Sequence, residues 1–142
     1  MPDTLVLPDS IGGRGHVLPG AFVCSWTDGG RDAVWVHLQG ELDLATVPQL
    51  TQTLRRPELQ ARLVVLDLRE LTFIDSSGVH AIVEADSRAR RDGRRLVVLR
   101  GSANVDRLFT LTGSSDRLEF GDLDPEEPAV QVLLQLAAKE LA

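Results

Sequence analysis

Two four-residue runs, Leu63-Val64-Val65-Leu66 and Leu96-Val97-Val98-Leu99, are apolar at every position. A strand with one wet face alternates apolar and polar side chains, so a run without alternation is covered on both faces. Between the runs, Val79, Ile82, Val83, Ala85 and Ala89 recur at helical spacing over about Ser76 to Arg91, and Asp92-Gly93 stops that pattern. Two buried strands joined by an amphipathic helix form a right-handed parallel crossover. The chain is therefore expected to build an α/β domain on a mainly parallel sheet.

The flanking segments extend this pattern. Ala21 to Trp26 and Ala33 to Leu38 read as strands joined through the turn residues Asp28-Gly29-Gly30, a hairpin that Gly40 ends. Thr46 to Gln49 predicts a helix start, with Thr46 as cap, Gln49 at the reciprocal capping-box position, Pro48 in the first turn, and Val47, Leu50 and Leu54 as its apolar stripe. Leu71 to Ile74 reads as a short connector. Ser102 caps a short helix carrying Val105, Leu108, Phe109 and Leu111, which Gly113 ends. Leu118 to Phe120 reads as an edge strand. Asp124-Pro125-Glu126-Glu127 starts a last helix carrying Val130, Leu133, Leu134, Ala137 and Leu141. The expected order is β-β-α-β-α-β-α-(β)-α, a mixed, mostly parallel sheet of four to five strands with about four helices. Residues 1–19, rich in Pro and Gly and without periodicity, read as a flexible N-terminal extension ahead of a single domain over 20–142.

Composition narrows the functions. In 142 residues, 15 basic against 21 acidic side chains leave a net charge of −6, which argues against nucleic acid as a direct partner. A single cysteine, Cys24, excludes an internal disulfide framework and a cysteine zinc site, and His16, His37 and His80 lack ligand spacing. The apolar share of 43% excludes global disorder. The longest apolar stretch, Val130 to Leu136, is broken by Gln131 and Gln135, so no membrane span is expected. Met1-Pro2-Asp3 begins no secretory leader, and a cytoplasmic location is expected. Six arginines between Arg88 and Arg100 read as a solvated helix end and strand start rather than a phosphate site, because no aromatic residue interleaves with them. The six acids from Asp116 to Glu127 lack a calcium-loop pattern and read as a solvated edge.

In open α/β sheets, sites gather on loops at the carboxyl ends of strands. Three such loops stand out: Gly40-Glu41-Leu42-Asp43, Phe73-Ile74-Asp75-Ser76-Ser77-Gly78, and Arg100-Gly101-Ser102. The second sets an acid, two hydroxyls and a glycine at a helix start. Gly78 is expected to leave the backbone open to an incoming group. Spacing alone leaves Ser76 and Ser77 open between helix cap and functional hydroxyl.

Phe73-Ile74-Asp75-Ser76-Ser77-Gly78-Val79 resembles the phosphorylation motif of the anti-sigma factor antagonists of the bacterial STAS-domain family. Gly40-Glu41-Leu42-Asp43 resembles that family's motif after its second strand. Gly93 to Val98, Val105-Asp106-Arg107-Leu108-Phe109 and Leu111-Thr112-Gly113 resemble its later strand and short helix. The likeness spans about residues 20 to 122, with the motifs in order. It implies a STAS-like fold and a binding module that is not an enzyme, has no cofactor of its own and takes part in stress-response transcription control by partner switching. The implied partner is an ATP-dependent serine kinase that is itself an anti-sigma factor. The unphosphorylated form would bind this kinase and release the sigma factor, phosphorylation of Ser76 would end the binding, and a serine phosphatase would reset it.

Around Ser76, the resemblance implies a partner-binding set of Gly40, Glu41, Asp43, Asp75, Ser77, Gly78 and His80. Asp75 would orient the hydroxyl or the metal of the incoming nucleotide, or else serve as a plain helix-start acid. His80 departs from the smaller residue of several relatives. The alternative is a non-switching STAS scaffold in a signalling or lipid-transport complex. A hydrolase built on Asp75, Ser76 or Ser77, and His80 lacks the G-x-S-x-G elbow, and no phosphate-binding glycine loop is present.

Overall fold

The computed structural model describes residues 21–30 and 32–121. Five strands and three helices alternate: β1 (Phe22–Gly30), β2 (Ala33–Leu42), α1 (Val47–Gln60), β3 (Leu63–Ile74), α2 (Ser76–Arg91), β4 (Arg95–Leu99), α3 (Ala103–Leu111) and β5 (Glu119–Gly121). The strand order is β1-β2-β3-β4-β5. The β1–β2 pair is antiparallel and every other neighbouring pair is parallel. The expected final helix and N-terminal extension lie outside the described residues.

Each parallel strand is laid beside the last, and right-handed crossovers advancing in one direction put their helices on one face. The burial agrees. Leu50 and Leu54 of α1, Val79, Ile82, Ala85 and Ala89 of α2, and Val105 and Phe109 of α3 join Val34, Val36, Val64, Leu66 and Val98 in one cluster. The opposite face carries a second cluster drawn from strands alone: Ala33, Trp35, Leu63, Val65, Val97 and Leu99. Both apolar tetrads are buried throughout, as their lack of alternation requires.

Three local expectations for the strands change. Asp28-Gly29-Gly30 is strand and not turn: β1 runs through it to Gly30, which lies opposite Ala33, and Asp32 takes a positive φ of 62°. Gly40 does not end β2. It sits at φ +93°, beside a register shift against β3, and the strand continues to Leu42. Without a Cβ, glycine holds that dihedral at low cost inside a bulged strand. Leu71–Ile74 is no connector: β3 runs unbroken to Ile74, with Phe73 opposite Glu41 and Ile74 opposite Leu42. The polar residues that interrupt the apolar pattern of β3 are paired. Arg69 donates to Asp67 at 2.9 Å and Gln39 donates to Glu70 across the bulge.

Thr46 does precede α1, but its side chain caps no helix N–H. Its Oγ1 donates to the Glu41 carbonyl at 2.9 Å and accepts from the Asp43 amide at 2.9 Å, tying the loop to the end of β2. Gln49 donates to the Phe22 carbonyl at 3.2 Å instead of closing a capping box. Ser102 caps α3 as expected, accepting from the Val105 amide.

Candidate functional site

Because β3 ends at Ile74 and α2 begins at Ser76, one residue makes the turn. That residue, Asp75, is the N-cap. Its extended backbone lets Oδ1 accept from the Gly78 amide at 3.0 Å, while its own amide donates to the Leu42 carbonyl at 3.2 Å. Asp75 Oδ2 accepts from the Leu44 amide at 3.3 Å. The carboxylate thus clasps the start of α2 to the loop after β2. This is the helix-start role for Asp75, and neither Ser76 nor Ser77 is the cap.

With the cap supplied by Asp75, Ser76 occupies the first helical position and is exposed, while Ser77 is half-buried. A helix start is a locally positive environment with unpaired backbone donors. Gly78 does not open the backbone to an incoming group. It is buried, and a Cβ built there would lie 2.7 Å from Ile74 Cγ1 and 2.9 Å from the Leu42 carbonyl oxygen. Its role is to let α2 pack tightly against the strand ends.

Ser76, Ser77 and His80 line one wall of an open groove of about 540 Å³ between α1 and α2. Ala81, Glu84 and Arg88 continue that wall, while Leu44, Val47 and Thr51 form the other. His80 is 74% exposed, with Nε2 3.5 Å from Glu84 Oε2. Arg88 donates to Glu58 Oε2 at 2.7 Å, linking the two helices at the far end. Leu44, on the α1 side of the groove, is a large apolar side chain 75% exposed to water, and Phe73, near the end of β3, is 47% exposed.

The other expected partner-binding residues do not line the groove. Asp43 folds back on its own turn, where Oδ1 accepts from the Ala45 amide at 3.0 Å and the Thr46 amide at 3.1 Å. Gly40 and Glu41 lie within β2, with Glu41 opposite Phe73. Sequence reasoning missed Leu44, Thr51, Glu84 and Arg88. Leu44 left a signal, because it is apolar just ahead of the helical stripe and serves no predicted core position.

The arginine run is largely spent within the fold. Besides Arg88, Arg90 pairs with Asp86, Arg94 with Asp92, Arg95 with Glu119, and Arg100 with Asp106. No group of three or more His, Cys, Asp or Glu able to hold a metal occurs among the described residues. No helix of the described residues is long and apolar enough to cross a membrane.

A strand-ending acid that caps a helix, an exposed serine directly after it, and a sequentially ordered mixed sheet define the class: the chain belongs to the STAS domain family, whose profile matches residues 27–126. Within that family, it is 30% identical over 96 residues to the anti-sigma-B factor antagonist of Listeria monocytogenes, covering 67% of this chain and 84% of that protein. Solved structures share the fold. The unphosphorylated anti-sigma factor antagonist SpoIIAA superposes with a TM-score of 0.68 at 19% identity, covering 82% of this chain and 97% of that one. The phosphorylated form of the Bacillus cell fate determinant SpoIIAA gives 0.63 at 19% identity, covering 80% and 99%.

Proposed function

We propose that this chain is an anti-sigma factor antagonist and that the hydroxyl of Ser76 is its switch. The unphosphorylated form docks on a serine-kinase anti-sigma factor, which then lets go of its sigma factor. Transfer of a phosphoryl group from ATP to Ser76 Oγ ends the complex, and a serine phosphatase restores it. The chain is a kinase substrate, acts in the cytoplasm and needs no cofactor of its own. The observation that carries this reading is the division of labour at the helix start: Asp75 caps, and Ser76 is exposed and lines the groove with the apolar side chain of Leu44. The naming of the Listeria relative and the existence of a phosphorylated form of SpoIIAA support it.

The physical effect is a change at an interface, not in the fold. A phosphoserine brings about −1.5 to −2 charges at neutral pH. At a helix N-terminus this is locally favourable by roughly 0.3–1 kcal/mol, so the domain stays folded. Against a docked protein the same charge must be desolvated, at a cost of several kcal/mol. With about 1.4 kcal/mol per decade, binding falls by roughly two to three decades.

The test is mass spectrometry after incubation with the cognate kinase and ATP, paired with a binding assay. The wild type gains one phosphate on Ser76 and leaves the complex. Ser76→Ala binds and is not labelled, and Ser76→Asp binds weakly. Labelling blocked by Ser77→Ala while Ser76→Ala still accepts phosphate refutes the assignment. Absence of both labelling and binding favours the non-switching scaffold.

A further inference from the structure

Ser76, His80, Glu84 and Arg88 follow one another at four-residue intervals on α2, and all four line the groove. Residues four apart on a helix are surface neighbours, about one turn or roughly 6 Å along the axis. Helical side chains also lean toward the N-terminus, so each member of such a row reaches back over the one before it. Glu84 reaches back to His80 in this way, and His80 itself stands one turn beyond Ser76.

As the chain stands, His80 is claimed from behind, with Nε2 3.5 Å from Glu84 Oε2. The two side chains are 74% and 59% exposed, so the pair is weak and open to displacement. Arg88 is not free to enter the exchange. It is 31% exposed and held by Glu58 of α1, which is 16% exposed, at 2.7 Å. The opposite wall, formed by Leu44, Val47 and Thr51, brings no charge into the groove. Asp75, whose oxygens accept from Gly78 and Leu44, is the acid at the helix start, and Arg55 follows Thr51 by one turn on α1.

We infer that His80 is the phosphate's partner on this chain: a phosphoryl group on Ser76 draws the imidazole off Glu84 and onto itself. This deepens the proposed switch and rests on Ser76 as the acceptor. A phosphate carries nearly twice the charge of a carboxylate and three acceptor oxygens, so it outcompetes Glu84 for the single imidazole between them. Glu84 is then left uncovered. The modification adds the phosphate's charge at one end of the groove and exposes a carboxylate one turn further on. His80 is therefore a specificity-determining residue that holds the modified serine and extends its electrostatic reach.

The experiment installs phosphoserine at position 76 during translation, so that no kinase is needed, and follows the phosphate by ³¹P NMR across pH at low ionic strength. A neighbouring cation lowers the midpoint of the phosphate's second ionisation. His80→Gln is expected to raise that midpoint by about 0.3 pH unit, the size of an i, i+4 ion pair on a solvated helix. The difference should collapse near 1 M salt, where the screening length is about 3 Å. Glu84→Gln should lower the midpoint in the wild-type background and leave it in place in the His80→Gln background, because Glu84 acts by competing for the imidazole.

A midpoint indifferent to His80→Gln overturns the inference. A Glu84→Gln effect of equal size in both backgrounds also overturns it, since that is simple charge removal. Either result leaves kinase labelling of Ser76 untouched. A kinase that never labels Ser76 refutes the switch without altering the NMR outcome.

Discussion

Gly78→Ala separates packing from access at the start of α2. The added methyl meets Ile74 Cγ1 at 2.7 Å, the Leu42 carbonyl oxygen at 2.9 Å and Leu42 Cγ at 3.0 Å. The side-chain contacts can relax by rotation. The carbonyl cannot, because it belongs to the last residue of β2 and accepts the Asp75 amide at 3.2 Å. Making room lifts α2 off the strand end and loosens the bond that sets the N-cap. Overpacking of this kind costs roughly 1–3 kcal/mol. Replacing glycine with alanine in a helix returns at most about 1 kcal/mol. With the full return subtracted the net loss is roughly 0–2 kcal/mol, and because the rigid carbonyl contact argues for the upper half of that range, a fall in Tm of about 3–8 °C is expected for a chain of this size. Thermal unfolding followed by circular dichroism reads it directly. An unchanged or higher Tm refutes the packing argument. If partner binding is also lost at unchanged Tm, Gly78 is kept for access to the backbone, as the sequence had suggested.

Three further outcomes follow from the same contacts. Asp75→Ala removes the cap and should cost about 1 kcal/mol, whereas Asp75→Asn keeps an acceptor for Gly78 and should cost less; equal urea midpoints for the two variants would contradict the capping role. Burial holds the imidazole of His37 below its ordinary value near 6.5, against the opposing pull of Asp67 and Glu70. The unfolded chain therefore binds that proton more readily, so stability is full above about pH 6.5 and falls on acidification toward the folded value, a slope that His37→Gln should flatten in urea titrations at several pH values. Burial also pushes the Cys24 thiol up to about 12, so a disulfide reagent at pH 8 should react on the order of a thousandfold more slowly than with an unperturbed cysteine until the protein is unfolded.

Much of the architecture could be read from the chain because burial and periodicity report on each other. Leu63–Leu66 and Leu96–Leu99 are buried at every position, and of the stripe that its spacing marked out α2 buries Val79, Ile82, Ala85 and Ala89, with Val83 half-buried against the same core. Capping was less legible. Thr46 and Asp75 are both cap-type residues, yet only Asp75 caps with its side chain, because Thr46 Oγ1 is drawn to the Glu41 carbonyl. The extent of β3 was hidden by Asp67, Arg69 and Glu70, which look like loop residues until their partners are known: Trp35 and Gln39 of β2 donate to Asp67 and Glu70, and Arg69 donates to Asp67. The groove was hidden for a similar reason. It joins the stripe from Ser76 to Arg88 with Leu44, Val47 and Thr51, and only the packing of α1 beside α2 brings these residues together.

The strictly consecutive strand order bears on how the molecule assembles. Every strand pairs with the one made just before it, so no edge must wait for a distant segment to emerge. The parallel pairings, such as Ala33 with Leu63 and Leu63 with Arg95, are not local and close slowly, but this order lets the sheet be laid down one crossover at a time from the first hairpin onward. The stretch from β2 to α2, residues 33–91, already contains Ser76, the capping Asp75 and both groove walls. A nascent chain can thus complete that groove while β5, three residues long, is still to come.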